Sequence, residues 1–537
     1  MACRIRRVKC DELKPNCNRC TSTGRKCDGY NAPPAAKTFS SFSNKTTSIG
    51  KPSSLFVQTF SSPLECVEEK EILHFFQTYA AVELCGYFAS SFWLREIMQA
   101  AQTQPAIRYG ITALGAMHRR YISGDSSSVP EDTSDKQLRF ALQQSNYAIQ
   151  ELLKKPANRS KADMMAVMTC CILFNSLACL QGHQQDALNH LRSGIRLLNE
   201  YDHGTDVGNN PVNAHPISLD SISEILLNLD TQARAIMSEP DILHWEPQPK
   251  RSDYTTSFIH TTTSFVSQRS ALHYLEATFS DLMAFLQDLE VLPVTGMGDV
   301  EATSRRLQHQ SRNGKEMLDN FLAEDRIRNS AHCKKGNEQR LIALRLIQTL
   351  ISMLARALEK KSSALWPTFE VLPTPFFTEE RQFAMIMDLT TQLIEAKAAS
   401  KVPFSRKTTH RPVFMSTLGV VVALYIVATR APEYDMRRKA INILLEYPRR
   451  EGMWDGPLAG KIALETLVLE EESTRQQLGL VYSDPPFMIT HASQVPTDLW
   501  IRTVNIKYTG LREARVEYRN LGNMRENEPG WVRHISW

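Results

Sequence analysis

Apolar side chains recur every three or four residues along most of this chain from about residue 64 onward. Ile107, Ile111, Leu114 and Tyr121 form one stripe, and Leu188, Leu191, Ile195 and Leu198 a second. Leu344, Ile347, Ile351, Leu354 and Leu358 form a third, and Ile386, Leu389 and Leu393 a fourth. A repeat of 3.6 residues puts each set on one face, so each predicts an amphipathic helix. Such segments continue to about residue 477, broken by polar stretches at 202–216 and 247–263. No fixed period joins them, which argues against a named solenoid and for a large, irregular all-α domain. The lone Trp454-Asp455 pair has no second copy at propeller spacing. Near the end the period changes. Thr503–Tyr508, Ala514–Arg519 and Trp531–Trp537 are short and partly alternating, with Gly522, Asn523, Pro529 and Gly530 between the last two. This predicts a small β-meander.

Residues 31–63 carry no such period. They open on Asn31-Ala32-Pro33-Pro34 and continue rich in Ser, Thr, Pro and Lys, as a flexible linker does. They also lack the heptads of a dimerising coiled coil. The most membrane-like run is Pro412 to Thr429, 18 residues between Arg411 and Arg430. That is at the lower edge of what crosses about 30 Å of hydrocarbon, and a buried core helix is the expected reading. With 23 Gly and 26 Pro in 537 residues, collagen-like and turn-dense all-β chains are poor fits.

Charge changes the picture at the N-terminus. The chain has 62 basic and 58 acidic residues, and the first 30 positions hold eight of the basic ones against three acidic ones. The rest is close to neutral, so the positive excess sits in one short head, as expected of a segment that meets a polyanion. The same head holds five of the eleven cysteines: Cys3, Cys10, Cys17, Cys20 and Cys27. No apolar run of a secretory signal accompanies them, and Asp11 and Glu12 count against a mitochondrial presequence. In a reducing compartment clustered thiols point to metal rather than to disulfides. The pair Cys17 and Cys20, two residues apart, can bite one zinc ion, and soft sulfur donors select zinc. A helix as short as Arg4–Lys9 cannot nucleate alone in water, and metal bonds at both ends would hold it.

The head closely resembles the fungal Zn₂Cys₆ binuclear-cluster transcription factors. The match covers the cysteine spacing and the filler Cys3-Arg4-x-Arg6-Arg7-Val8-Lys9-Cys10-Asp11-Glu12, Lys14-Pro15-x-Cys17-x-Arg19-Cys20 and Gly24-Arg25-Lys26-Cys27-Asp28-Gly29-Tyr30. The resemblance implies two zinc ions held by Cys3, Cys10, Cys17, Cys20 and Cys27. Arg6 and Arg7 would read a CGG-type triplet in the major groove, since the arginine fork donates two hydrogen bonds to guanine. Arg4, Lys9, Lys14 and Arg19 would hold phosphates without reading sequence. Pro15 matches the loop proline between the half-motifs. The family's first cysteine would fall immediately before Met1. Without it Cys3, Cys10 and Cys17 would hold one ion and Cys17, Cys20 and Cys27 the other, three ligands each. Met1 and Ala2 fit the two positions after that cysteine, so the expectation is a native chain that starts upstream; a real loss would instead weaken DNA binding.

The body resembles the family's regulatory region more loosely. The order His74-Phe75-Phe76, Phe88, Phe92-Trp93, Pro105-Ala106-Ile107-Arg108, Ala113-Leu114-Gly115-Ala116-Met117-His118 and Arg450-Glu451-Gly452-Met453-Trp454-Asp455 carries that likeness. In the family such regions modulate activation, sometimes by binding small molecules or partners. No nucleophile elbow, zinc-protease helix, Walker A loop or dinucleotide turn occurs, so no catalytic residue is assigned. A hidden enzyme would need a deep polar pocket with converging titratable groups. His118 follows an apolar stripe and reads as a core histidine. Cys170, Cys171 and Cys179 read as small core residues, and Glu470-Glu471-Glu472 as a solvated helix end.

The resulting expectation is a mainly α chain in four parts. Residues 1–30 form the DNA-binding cluster, 31–63 a linker, 64–480 an α-helical regulatory domain, and 481–537 an extension with short strands. Its activity would be nuclear, zinc-dependent, sequence-specific regulation of RNA polymerase II transcription without catalysis. Its partners would be double-stranded DNA and the transcription machinery or co-regulators, with homodimerisation open and no membrane. The competing reading is a regulator that binds no DNA, because its cluster is incomplete, and acts through its helical body.

Overall fold

The computed structural model describes residues 67–123, 134–154, 160–201, 215–237, 244–248, 259, 261–291, 297–328, 335–359, 380–398, 410–480 and 488–537, together with Ser22. The chain divides into two units, residues 1–57 and 58–537, and every element below belongs to the second.

Helix α1 (Val67–Phe75) runs through a π-helical turn, Phe76–Ala80, into α2 (Ala81–Leu84). A second π turn, Phe92–Glu96, leads into α3 (Ile97–Thr103), and α4 (Pro105–Ser123) follows. Proline opens α4 where its missing N–H removes no helical hydrogen bond. Of the predicted stripe, Ile107, Ile111 and Leu114 are fully buried and Tyr121 is partly buried. Burial extends to the polar side too, at Arg108, Thr112 and His118, because α1, α5 (Lys136–Leu153) and α6 (Lys161–Gln181) pack around it. A Ser160/Asp163 capping box starts α6, and Gly182 ends it at φ +91°, a left-handed conformation that glycine adopts without strain. Among the described residues α6 is the one helix long and apolar enough to cross a membrane, and 83% of its apolar window is buried inside the protein. It packs against α4 and α7 (Gln184–Glu200), the helix of the predicted Leu188–Leu198 stripe, and α8 (Leu219–Arg234) closes this half.

The second half continues with α9 (Gln268–Val291), α10 (Met297–Arg328), α11 (Lys335–Glu359) and α12 (Glu380–Ala398). The third and fourth predicted stripes lie on α11 and α12. The membrane-like run 412–429 resolves differently from the single core helix expected. It begins as strand β1 (Val413–Met415), and only its second part joins α13 (Val421–Arg430). Apolar residues of both parts are buried. Helix α14 (Tyr434–Glu446) precedes β2 (Arg449–Glu451) and β3 (Trp454–Asp455), and α15 (Gly456–Gln477) follows. The three short strands form one sheet, β1 parallel to β2 and β2 antiparallel to β3.

The predicted C-terminal meander is present as β4 (Ile501–Gly510), β5 (Glu513–Asn520) and β6 (Trp531–Ser536), all antiparallel in that order. A short helix α16 (Leu521–Glu526) lies between the last two strands. Alternation puts Val504, Tyr518 and Trp531, then Ile506, Val516 and Arg533, then Tyr508, Ala514 and Ile535, in register on one face. The apolar members of that face pack with Leu458, Ile462 and Leu469 of α15.

The acidic run Glu470–Glu472 is not the solvated helix end expected. It lies inside α15, and Glu470 is 2% exposed. Its Oε2 accepts from Tyr434 Oη at 2.5 Å and Arg437 Nη1 at 2.8 Å, and its Oε1 from the Ile501 N–H at 3.2 Å. Glu471 pairs with Arg438, and Glu472 alone faces solvent.

Candidate functional site

The predicted zinc ligands Cys3, Cys10, Cys17, Cys20 and Cys27 lie outside the described residues, as do Arg4, Arg6, Arg7, Lys9, Lys14 and Arg19. Their chemistry fits zinc, because all five candidate donors are soft thiols. Among the described residues no group of three or more His, Cys, Asp or Glu converges as a metal site. Cys85, Cys170, Cys171 and Cys179 are buried thiols outside any disulfide. Burial pushes Cys179 up to about 12, which keeps it an unreactive thiol. His118 is the core histidine expected. It is fully buried among the rings of Phe75, Tyr79 and Phe414. Its Nε2 lies 3.3 Å from Glu83, whose Oε2 also pairs with Arg411 at 2.5 Å.

The Arg449–Asp455 segment is a buried polar joint. Arg449 donates to Glu451 at 2.9 Å, and Glu451 also accepts the first free N–H of α13, from Val421, at 2.8 Å. Arg450 donates through Nε to Asp455 at 2.8 Å and through Nη1 to the carbonyls of Cys179 and Leu180 at the end of α6. Gly452 turns the chain at φ +57°. Any Cβ there would collide with the Gln232 side-chain amide. That amide accepts from the Met453 N–H at 3.0 Å and donates to the Ser416 carbonyl at 3.3 Å.

Sequence reasoning missed a cleft between α8 and α9. The polar residues that line it include Asp220, Glu224, Asn228 and Thr231 of α8 and Arg269, His273, Glu276 and Ser280 of α9. Their spacing of three and four residues is a helical stripe, but a polar one, which reads as a solvated face. Glu224 pairs with His273 at 3.2 Å and Arg269 at 3.5 Å. Burial opposes ionisation of Glu224, yet these two cations hold its carboxyl below the usual range. The hydrogen bond to Glu224 holds His273 above its usual value. Glu276 receives one hydrogen bond, from Asn228 Nδ2 at 2.9 Å. Burial, reinforced by the Glu224 charge, pushes Glu276 up to about 8. Asn228 in turn accepts from Gln232 at 2.7 Å, so a chain of side-chain amides runs from the cleft to Met453.

Two known domains match the first part of the chain. Residues 1–37 match the fungal Zn(2)-Cys(6) binuclear cluster domain, and residues 71–246 match the fungal specific transcription factor domain. The chain is 26% identical to the aspercryptin biosynthesis cluster-specific transcription regulator atnN of Emericella nidulans, over 96% of this chain and 93% of that protein. It is 27% identical to the transcription regulator lscL of Purpureocillium lilacinum, over 43% of this chain and 56% of that one. Over 30 residues, 6% of each chain, it is 60% identical to the transcriptional regulatory protein moc3 of Schizosaccharomyces pombe. No solved structure matches. The two matched domains and the named relatives are those of fungal zinc-cluster transcription regulators, and the chain is consistent with that family. Those domains and relatives are transcription regulators, not enzymes.

Proposed function

We propose that the chain is a zinc-dependent, sequence-specific DNA-binding regulator of RNA polymerase II transcription that acts in the nucleus. The observation that carries this reading is the cluster-domain match over residues 1–37, with its cysteine spacing and Arg6-Arg7 filler. Cys3, Cys10, Cys17, Cys20 and Cys27 would hold two zinc ions, which supply folding free energy to a head too short to have a core of its own. Arg7 and Arg6 would read guanines of a CGG-type triplet, and Arg4, Lys9, Lys14 and Arg19 would set the register on phosphates. Residues 31–63 tether that head to the helical regulatory domain, through which co-regulators would act. A monomer would read one triplet, and a homodimer two half-sites at fixed spacing. The likeness to the atnN regulator, which extends over nearly the whole chain, supports control of a biosynthetic gene cluster.

Zinc removal is the first test. A strong chelator should abolish binding to a CGG-containing duplex, and added zinc should restore it, while the far-ultraviolet circular dichroism of the helical body stays unchanged. A variant with one cysteine placed ahead of Met1 should hold zinc against more chelator, because an open structural site binds metal less tightly than a closed one. Weak binding of every duplex by the zinc-loaded chain would favour the regulator that works through protein contacts alone.

The second test separates reading from positioning. Arg7→Ala should cost about 1–3 kcal/mol on the CGG duplex and relax the guanine preference. Lys9→Ala should weaken all duplexes alike and lower the salt slope by about one. Equal losses for Arg7→Ala on matched and scrambled duplexes would reject its base-reading role.

A further inference from the structure

We propose that the cleft between α8 and α9 is a binding site for a small organic ammonium ion, with Glu276 as its counter-ion and an apolar recess for its alkyl or aryl arm. The site lies wholly in the helical unit and goes beyond the DNA-binding reading.

Two cavities meet at Glu276. One is a vestibule of about 370 Å³ that carries the charged side chains, and the other a recess of about 60 Å³ lined largely by apolar side chains, among them Tyr87, Phe88, Trp93, Leu272 and Leu346. Ser221, Glu224, Asn228, Glu276, Ile347 and Leu418 border both, and of the two carboxylates Glu224 is already paired with His273 and Arg269. A single water needs roughly 10–15 Å³ of such space, so the recess takes a short chain or part of a ring.

The charges of the vestibule select the sign of the ligand. Four carboxylates line it, Glu96, Asp220, Glu224 and Glu276, against Arg269 and His273. Both cations are engaged with Glu224. Glu96 accepts from the Ser218 N–H at 3.2 Å and Ser221 Oγ at 3.1 Å, so it is used in fixing the start of α8. Asp220 is exposed at the rim. Glu276 is left at the junction with a single neutral donor. Its second oxygen takes no hydrogen bond among the described residues, and Glu276 is partly exposed, so that oxygen is open to a donor entering the cleft. An ammonium group would supply both the charge and the donors, and its apolar arm would lie where water has few partners.

The charged groups facing Glu276 are Glu224 from α8 and His273 and Arg269 from its own helix. Among the described residues α11 (Ala343, Leu346, Ile347) and the segment 416–419 bring no charged group to either cavity. With Glu276 near 8 in the empty cleft, binding a cation at lower pH must first expel a proton. Protonation of His273 on acidification opposes a cation too. Both effects act in one direction, and affinity should rise about tenfold from pH 6.5 to 8.5.

The experiment titrates the full chain with 4-fluorobenzylamine, 4-fluorophenethylamine and 4-fluorobenzyl alcohol, followed by fluorine NMR. The amines should bind at least tenfold more tightly than the alcohol. Glu276→Gln, an isosteric change, should remove that advantage and flatten most of the pH dependence. Asp220→Asn at the rim should alter affinity less than twofold. Equal binding of alcohol and amine to the unaltered protein would overturn the proposal without reliance on any variant. So would amine binding that survives Glu276→Gln, or no binding by any probe at millimolar concentration. The titration uses no DNA, so its failure leaves the zinc-cluster reading untouched, and failure of that reading leaves the cleft untouched.

Discussion

Glu470→Ala should destabilise the helical unit by about 3–5 kcal/mol, seen as a lower urea midpoint by circular dichroism, because it strands a buried cation. Arg437 is 1% exposed and spends one guanidinium nitrogen on Glu470 and another on the Ala431 carbonyl. Once the carboxylate is gone, no water replaces it at that depth. The same carboxylate receives the first N–H of β4 and the Tyr434 hydroxyl, so α14, α15 and the C-terminal sheet share one acceptor. Removing both charges together, as Arg437→Met with Glu470→Leu, should cost much less than the single change, since a well-packed apolar pair avoids the desolvation of two ions. Glu472→Ala, two residues away and exposed, should move the midpoint by under about 0.5 kcal/mol. A Glu470→Ala midpoint equal to that of Glu472→Ala would refute the shared-acceptor role.

The contrast between Glu470 and Glu472 shows what could be read in advance. A charge run announces polarity but not its partners, and Arg437 stands 33 residues away. The same holds for Arg449, Arg450 and Glu451, three consecutive charged residues buried as one strand. Nothing local predicts their burial, because their partners include the end of α6 and the start of α13. The four apolar stripes and the alternating tail were legible, since a buried face imposes its period on the sequence directly. The run 412–429 was legible as core but not as strand followed by helix, because continuous hydrophobicity carries no period to separate the two. The cleft between α8 and α9 went unread for the opposite reason. Its period is helical, but polar residues that line a cavity have the same pattern as polar residues that face water. The head was legible as a cluster domain from its cysteine spacing and fillers, and the match over residues 1–37 agrees with that reading.

Asp455→Ala should have the larger effect, about 4–6 kcal/mol, because one side chain does two separable jobs. Its Oδ2 neutralises Arg450, which is 5% exposed, and its Oδ1 caps α15 by accepting the Leu458 N–H at 3.2 Å. Arg450 is also the contact that joins this segment to the end of α6, through the Cys179 and Leu180 carbonyls. Truncation therefore loosens the start of α15 and leaves an unpaired guanidinium between the two halves of the helical unit. Asp455→Asn divides the two roles. Asparagine caps helices as well as aspartate does, so it should recover about 1 kcal/mol and leave the charge defect in place. Amide exchange at Leu458 should then quicken in Asp455→Ala but stay slow in Asp455→Asn, while both variants show a lowered urea midpoint. A midpoint restored fully by asparagine would mean that the cap carries the stability and that Arg450 finds its compensation from the α6 carbonyls alone.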